Sequence, residues 1–389
     1  IAFRQAHLIL GKEHMLLPTE GFHITTHLEQ VKLDQWYPFI NDIMVSFEQG
    51  QSATQQNTNS LFTFPARVRG DIATLDVLGQ QLHQVAFNFK DDISWQLLDI
   101  NAKELRANIK FYPDWSKQGI DIDADFINIR LADNENQDND SPFAAELIQF
   151  KDNGTLFNSI PPIQFRCQAC SINAIDLGKV SFTVVRNKET ELMMENFIAQ
   201  RRDNIVHFQV NWLQDKDNIF TAINGDFSSK DIEREIEQLG YPSTIKDSSF
   251  DSSFSFDWQG SPFDFSWDKL NGKMSAIVGE GVLDVDDKGA RLLSLFSLKT
   301  IVRKLKLDFR DIFSDGMFFE ELKGDFTIEK GVVYTNNTAM KGAAGDLTVN
   351  GNTNLVTKQL DYTMSYKPNY SSSLPALAWI ATLNTVTFL

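Results

Sequence analysis

The only cysteines, Cys167 and Cys170, sit three apart in Arg-Cys-Gln-Ala-Cys-Ser. One such pair supplies half the ligands of a structural zinc, and no second pair follows. A dithiol redox motif would open a helix in a βαβ pattern, and none surrounds it. A β-turn over Gln168 and Ala169 would bring the two Cα atoms within ~7 Å. That is within reach of a disulfide, so in an oxidising compartment the pair is expected to form a structural one. Histidines occur at 7, 14, 23, 27, 83 and 207. His23 and His27 would share a metal only on a helix, and the flanking Phe22, Ile24 and Leu28 read as a strand. Asp121, Asp123 and Asp125 alternate, as do Asp284 and Asp286 beside Asp287. Glycoside hydrolysis needs two opposed carboxylates in a cleft, whereas alternating Asp on a strand marks its solvated face. Gly279-Glu280-Gly281 begins a dinucleotide fingerprint, but Asp284 takes the last glycine's place. Phosphate loops, HExxH and GxSxG motifs are absent. The expectation is a protein that is not an enzyme, with no cofactor and no metal.

Two other clusters call for a different chemistry. Phe254, Phe256 and Trp258 alternate along one run, Phe263, Phe265 and Trp267 along the next, and Met274 follows. Ser253, Ser255 and Asp257 fall on the opposite face. Gly260-Ser261-Pro262 between the runs suggests a hairpin that brings two aromatic strand faces together. The second cluster is basic. Arg291, Lys299, Arg303, Lys304, Lys306 and Arg310 stand against Asp308 alone within 291–310. It suits either contact with anionic headgroups or a partner protein, or dipole compensation at a helix C-terminus.

The elements that must hold these residues are strands. The chain has 389 residues and a net charge of −16, which excludes a general nucleic-acid binder. It carries 31 Phe against 7 Tyr and 7 Trp, so its aromatic surface is mostly undecorated hydrocarbon. Apolar residues alternate at Val85–Phe89, Leu105–Phe111, Ile120–Phe126, Val180–Val184, Phe220–Ala222, Phe250–Trp258, Leu347–Val349 and Leu360–Tyr366. Each run gives one greasy and one wet face. Roughly 20 strands are expected, mostly antiparallel because the connections are short. Gly-Asp-apolar recurs at Gly70, Gly225, Gly324 and Gly345 and reads as a strand-start signature. Helices are expected over Leu33–Phe47, Ser228–Leu239 with a Ser cap, and Arg291–Leu305. Polar loops are expected over Gln49–Ser60 and Asp133–Ser141. No run reaches the ~18 apolar residues of a membrane span, and both termini read as cut from a longer chain.

From Gly289 to Thr300, and again through Arg303-Lys-Leu-Lys-Leu-Asp-Phe-Arg-Asp-Ile-Phe, the sequence resembles the C-terminal region of the YhdP family, AsmA-like proteins of Gram-negative bacteria. Gly316-Met-Phe-Phe, Leu322-Lys-Gly-Asp-Phe, Gly331-Val-Val-Tyr-Thr and Met340-Lys-Gly-Ala-Ala-Gly extend the likeness. So does the cysteine pair ahead of Asp176-Leu-Gly-Lys-Val. The resemblance implies the periplasmic body of an inner-membrane-anchored protein, moving phospholipid towards the outer membrane. It also implies the architecture of bridge-like lipid-transfer proteins. The expected fold is mainly β: an elongated, curled antiparallel sheet forming an open groove, with a few amphipathic helices. Residues 1–132 would form a β-rich groove segment, 133–142 a polar loop and 143–389 a C-terminal groove segment carrying the basic helix 291–305. Phe254, Phe256, Trp258, Phe263, Phe265, Trp267 and Met274 would line the groove against phospholipid acyl chains. The basic residues would meet headgroups or a membrane or envelope partner at the C-terminal end. The alternative is a periplasmic β-rich scaffold or binding module with a closed core.

Overall fold

The computed structural model describes residues 5–11, 20–33, 35, 65–77, 80–92, 94–129, 155–173, 175–215, 218–240, 243–283, 317–343, 345–369 and 386–388. The fold is mainly β. The chain divides into two compact units. The first comprises Ile1–Asp138, Ala144–Ile148 and Asn153–Val185; the second comprises Asn139–Phe143, Gln149–Asp152 and Arg186–Leu389. The expected helices over Leu33–Phe47 and Arg291–Leu305, and the polar loops at 49–60 and 133–142, lie outside the described residues almost throughout.

The first unit holds β1 (Gln5–Leu10), β2 (Gly21–Lys32), β3 (Arg67–Val77), β4 (Gln80–Asp91), β5 (Gln96–Asn101) and β6 (Leu105–Phe111). A single turn of helix, α1 (Trp115–Gln118), precedes β7 (Ile120–Ile129), and α2 (Thr155–Ser159) precedes β8 (Ile163–Ile172) and β9 (Ile175–Lys188). Strands β3 to β7 pair antiparallel in sequence order, as do β8 and β9. Three joins are parallel: β1 with β2, β2 with β3, and β7 with β8. They coincide with the connections 11–20, 33–66 and 130–162, which are too long for a tight hairpin. Parallel neighbours need such a crossover, since the chain must return to the same end of the sheet.

The second unit begins with β10 (Glu191–Arg201), β11 (Asn204–Asp215), β12 (Asn218–Ser229), α3 (Ile232–Gln238), β13 (Ile245–Lys246), β14 (Phe250–Gln259) and β15 (Asn271–Val278). It continues with β16 (Gly281–Leu283), β17 (Met317–Phe319), β18 (Glu321–Glu329), β19 (Val332–Lys341), β20 (Gly345–Asn354), β21 (Gln359–Pro368) and β22 (Val386–Phe388). Its strands of the large sheet, called the second sheet below as those of the first unit are called the first, run β10-β11-β12-β14-β15-β18-β19-β20-β21-β22, every pair antiparallel. The omitted strands β13, β16 and β17 form a small antiparallel sheet of their own. Lys330 and Gly331 join β18 to β19, both at positive φ (47° and 75°), as a two-residue hairpin turn requires.

Two local expectations are corrected. Ser228 and Ser229 finish β12; the α3 cap is Asp231, whose carboxylate accepts from the Arg234 N–H at 3.1 Å. The Gly-Asp signature marks a strand start only at Gly345, the first residue of β20, whereas Gly70, Gly225 and Gly324 lie inside β3, β12 and β18. A Cβ on any of them would collide with the neighbouring strand, at Thr26, at the His207 carbonyl and Phe208, and at Thr338. Each glycine shares its face with the apolar residue two positions on, and its missing side chain lets the sheet bend towards that face. The following Asp points the other way. Asp71 meets His27 Nδ1 at 3.2 Å, Asp226 meets His207 Nδ1 at 3.3 Å, and Asp325 accepts from Ser275 Oγ at 2.5 Å.

Candidate functional site: the apolar face of the second sheet

Cross-strand register collects the inward residues of the second sheet into rows. One row runs Phe197, Phe208, Gly225, Phe254, Met274, Phe326 over β10, β11, β12, β14, β15 and β18. Beside it run Met194, Val210, Ile223, Phe256, Gly272, Ile328 and Val333. Strand spacing makes the first row about 24 Å long. Phe197 and Phe208 stack at 4.1 Å, and Phe254 stacks on Phe256 at 5.1 Å. These side chains carry no polar atom, yet Phe197, Phe208, Phe254, Met274 and Phe326 are only half-buried. Their face is a strip of partly exposed hydrocarbon.

Both ends of the strip are closed. At one end, Trp258 is 4% exposed in a cluster with Leu270 and Ile328, against which Phe256, Phe265 and Leu355 pack. Its indole N–H donates to the Ser261 carbonyl at 2.9 Å, and Phe265 meets its ring edge-on at 5.3 Å. At the other end, Ile245, Leu283 and Phe319 of the small sheet cover Val278, Phe250, Leu322 and Met340. Ser248 fixes that cover by donating to the Gly279 and Glu280 carbonyls at 3.0 and 2.8 Å. Nearby, Glu235 of α3 is held by Arg201 and Asn204 at the β10–β11 turn.

The opposite face is polar and tied across strands. Ser228 donates to Asp251 at 2.6 Å, Asn337 to Asp325 at 2.7 Å, and Asn211 to Glu191 at 2.9 Å. Hydrogen bonds from Ser275 and Asn337 hold the Asp325 carboxyl below the usual carboxylate range, and Asn211 and Asn187 do the same for Glu191. Over β19–β21 the inner face itself acquires hydroxyls: Thr335 with Thr338, and Thr353 with Tyr362, each pair 2.7 Å apart. Burial pushes the Tyr362 phenol up, only partly offset by its bond to Thr353, so the group stays neutral.

The first sheet is also two-faced, with a smaller floor. Gly70, Phe87, Ile100, Ala107, Ala124, Cys167 and Val180 form one row across β3 to β9. Cys167 and Cys170 are disulfide-bonded with Cα atoms 6.0 Å apart. Three residues of extended strand would span roughly 10 Å, so β8 is bent here. The pairing with β9 shifts register across the pair, which marks a bulge within the strand and not a turn between strands. Of the alternating acids, Asp121 accepts from Tyr112 at 3.0 Å and Asp123 takes both a 2.5 and a 2.8 Å bond from Arg166. Asp125 lies 3.9 Å from Arg106. Hydrogen bonding from Arg166 lowers the Asp123 carboxyl. His23 and His27 lie on β2, and among the described residues no acid, His and Cys cluster could hold a metal.

The aromatic residues singled out from the sequence therefore separate. Phe254, Phe256 and Met274 share the accessible face. Trp258 sits beneath its end cover. Phe263, Phe265 and Trp267 are not on a strand: they lie in or beside two short 3-10 turns, Pro262–Asp264 and Trp267–Lys269, that build this cover. Pro262 cannot donate to a ladder, and Asp264 caps the turn by accepting from Ser261 N and Oγ. Phe263 reaches Trp212 edge-on at 6.0 Å, while Trp267 is exposed. The basic residues Arg291, Lys299, Arg303, Lys304, Lys306 and Arg310 lie outside the described residues. Sequence reasoning missed Phe208, Val210 and Ile223, although Val206-Phe208-Val210-Trp212 alternates visibly. It also took Phe220 and Ala222 as an apolar face, whereas Thr221 and Ile223 face inward, with Thr221 Oγ1 donating to the Gly260 carbonyl at 2.8 Å.

The family model described as "YhdP protein" matches residues 1–387. Among curated proteins, the chain is similar to the "Intermembrane phospholipid transporter YhdP" of Escherichia coli (strain K12), 26% identical over 227 residues. That match covers 58% of this chain and 18% of the relative, so it spans under a fifth of the relative's length. No solved structure matches.

Proposed function

We propose, given that the chain belongs to the YhdP family, that its apolar sheet faces carry phospholipid acyl chains between the inner and outer membranes, as one segment of a longer periplasmic lipid-conducting protein. The observation that carries this reading is the half-exposed row Phe197, Phe208, Phe254, Met274, Phe326, backed by a polar outer face. Acyl chains ask for continuous hydrocarbon contact and no competing polar group, which this row offers. The name of the Escherichia coli relative supports phospholipid as the cargo, and the bonded cysteines suit an oxidising compartment. The cations of 291–310 would then meet anionic headgroups or an envelope partner. The reading assigns the protein no enzymatic step: its work is to shelter apolar chains from water.

Phe254 is the position that tests it, because Phe256 also packs against the Trp258 cluster. A photo-crosslinking residue at 254, in the chain expressed in a Gram-negative envelope, is expected to capture phospholipid. The same residue at 253, on the wet face, should not. Phe254→Asp should fold and fail to retain lipid. Protein-only adducts at 254, together with unfolding of Phe254→Asp, would identify a closed core and a scaffold instead.

A further inference from the structure

The floor of the second sheet changes chemistry where β18 gives way to β19–β21. Thr338 Oγ1 lies over Gly324, which shares its face with Phe326. Thr353 stands opposite Val333, a member of the neighbouring apolar row, and the Tyr362 ring lies over Gly351. Gly351 in turn faces Thr335 on one side and Tyr362 on the other. Two hydroxyl pairs thus lie around Gly351, on the same face as the aromatic strip.

Counting protons gives these pairs a directional property. A hydroxyl has one donor hydrogen, so a bond between two hydroxyls uses one hydrogen and leaves the other. In each pair one member is buried, Thr335 at 7% and Thr353 at 5% exposure, and the other, Thr338 or Tyr362, is half-buried. A buried hydroxyl that did not donate would bear an uncompensated desolvation cost. Either hydroxyl of a pair can be the donor; with the buried threonine donating, which spares it that cost, the half-buried hydroxyl keeps a hydrogen to offer in front of the sheet. The inward positions of β19–β21 carry hydroxyl, aliphatic and aromatic groups and no Lys or Arg. A neutral acceptor fits such a floor better than a phosphate does.

We infer that Thr338 and Tyr362 bind the ester carbonyls of a glycerolipid whose hydrocarbon lies on the adjoining aromatic strip. The inference rests on the acyl-chain reading above and adds a polar anchoring site to it. Esters are acceptors without donors and sit where a glycerolipid passes from chain to headgroup, which matches a floor passing from Phe and Met to Thr and Tyr. The hydroxyls would hold a lipid in one orientation on a surface that is otherwise indifferent to its position.

The test compares phosphatidylglycerol bearing two ester-linked chains with its dialkyl ether analogue of equal chain length, offered in competition to the purified full chain. Retained lipid is read by native mass spectrometry. The expected result is about a three- to tenfold preference for the ester lipid, the scale of one or two net hydrogen bonds. Thr338→Val with Tyr362→Phe should remove the preference and leave ether-lipid retention unchanged; Tyr362→Phe alone should reduce it and guards against a folding defect in the pair. Equal retention by the unaltered protein, or a preference that survives in the double variant, overturns the ester site and leaves the acyl-chain reading standing. Retention of neither lipid by the unaltered protein overturns the acyl-chain reading itself.

Discussion

The two sheets solve the same problem with floors of different height. In the first, the middle row passes through Ala107, Ala124, Cys167 and Val180, all buried. In the second, the corresponding row is Phe208, Phe254, Met274 and Phe326, all half-buried. A small side chain on a sheet is hidden by its own neighbours and offers little area to anything above it. A phenylalanine stands clear of its neighbours and keeps a flank open. Floor side-chain size, more than the count of apolar residues, therefore decides how much hydrocarbon a one-sided sheet presents.

The sharpest way to break this comparison lies within one strand. Trp258 and Phe254 share a face of β14, but the first is under a cover and the second is in the open strip. Trp258→Ala should cost about 3–5 kcal/mol, as for a sealed aromatic core position, read from the shift of the urea midpoint at unchanged slope. Next, in the first sheet, replacing both cysteines by Ala should cost about 2 kcal/mol, the loop-closure value for so short a ring. Thiol counting under denaturing, non-reducing conditions should find none free in the unaltered protein. Phe254→Ala should cost less, about 1–2 kcal/mol, since part of that ring stays in contact with water. A loss as large as that of Trp258→Ala would make the strip a core.

The smallest effect concerns the wet face of the first sheet. Asp123 is held below its ordinary value by Arg166, so its contribution to stability is present above the usual carboxylate pKa of about 3.9 and fades as pH falls through the lower, folded value. Because the pair is largely exposed, Arg166→Gln should cost under about 1 kcal/mol at neutral pH. It should also flatten the acid limb of the stability profile. An acid limb unchanged by this variant would place the pH sensitivity elsewhere.

Much of this was legible in the chain. Alternation at Val85–Phe89, Leu105–Phe111, Phe250–Trp258 and Leu360–Tyr366 marked real strands and their inward faces, because a half-buried sheet imposes period two directly on its sequence. Period two misled at Phe263, Phe265 and Trp267, where the spacing persists but Pro262 and the Asp264 cap turn the backbone into 3-10 turns. It misled again at Phe220, whose inward neighbour Thr221 is apolar only in the sense that its hydroxyl is already bonded to Gly260. The mid-strand glycines were visible as a motif, but their purpose depends on how closely a neighbouring strand approaches. The hydroxyl pairs join residues whose meeting depends on a bulge in β19 and on Tyr362 crossing Gly351. No local pattern encodes either.

The neighbour-by-neighbour order of the second sheet also bears on how it comes apart. From β18 to β21 each strand is bonded to the one before it in sequence through a short turn, so this stretch behaves as a one-dimensional stack whose stability is a sum of nearest-neighbour terms. Such a stack frays from its free margin inward, without a single all-or-none step. Amide hydrogens should exchange fastest at the marginal β22, then at β21, and progressively more slowly towards β15. The strands bearing Thr353 and Tyr362 would then breathe on a timescale that the aromatic strip does not share. The parallel joins of the first sheet, which must close long crossovers before any ladder forms, would assemble more slowly than these hairpins.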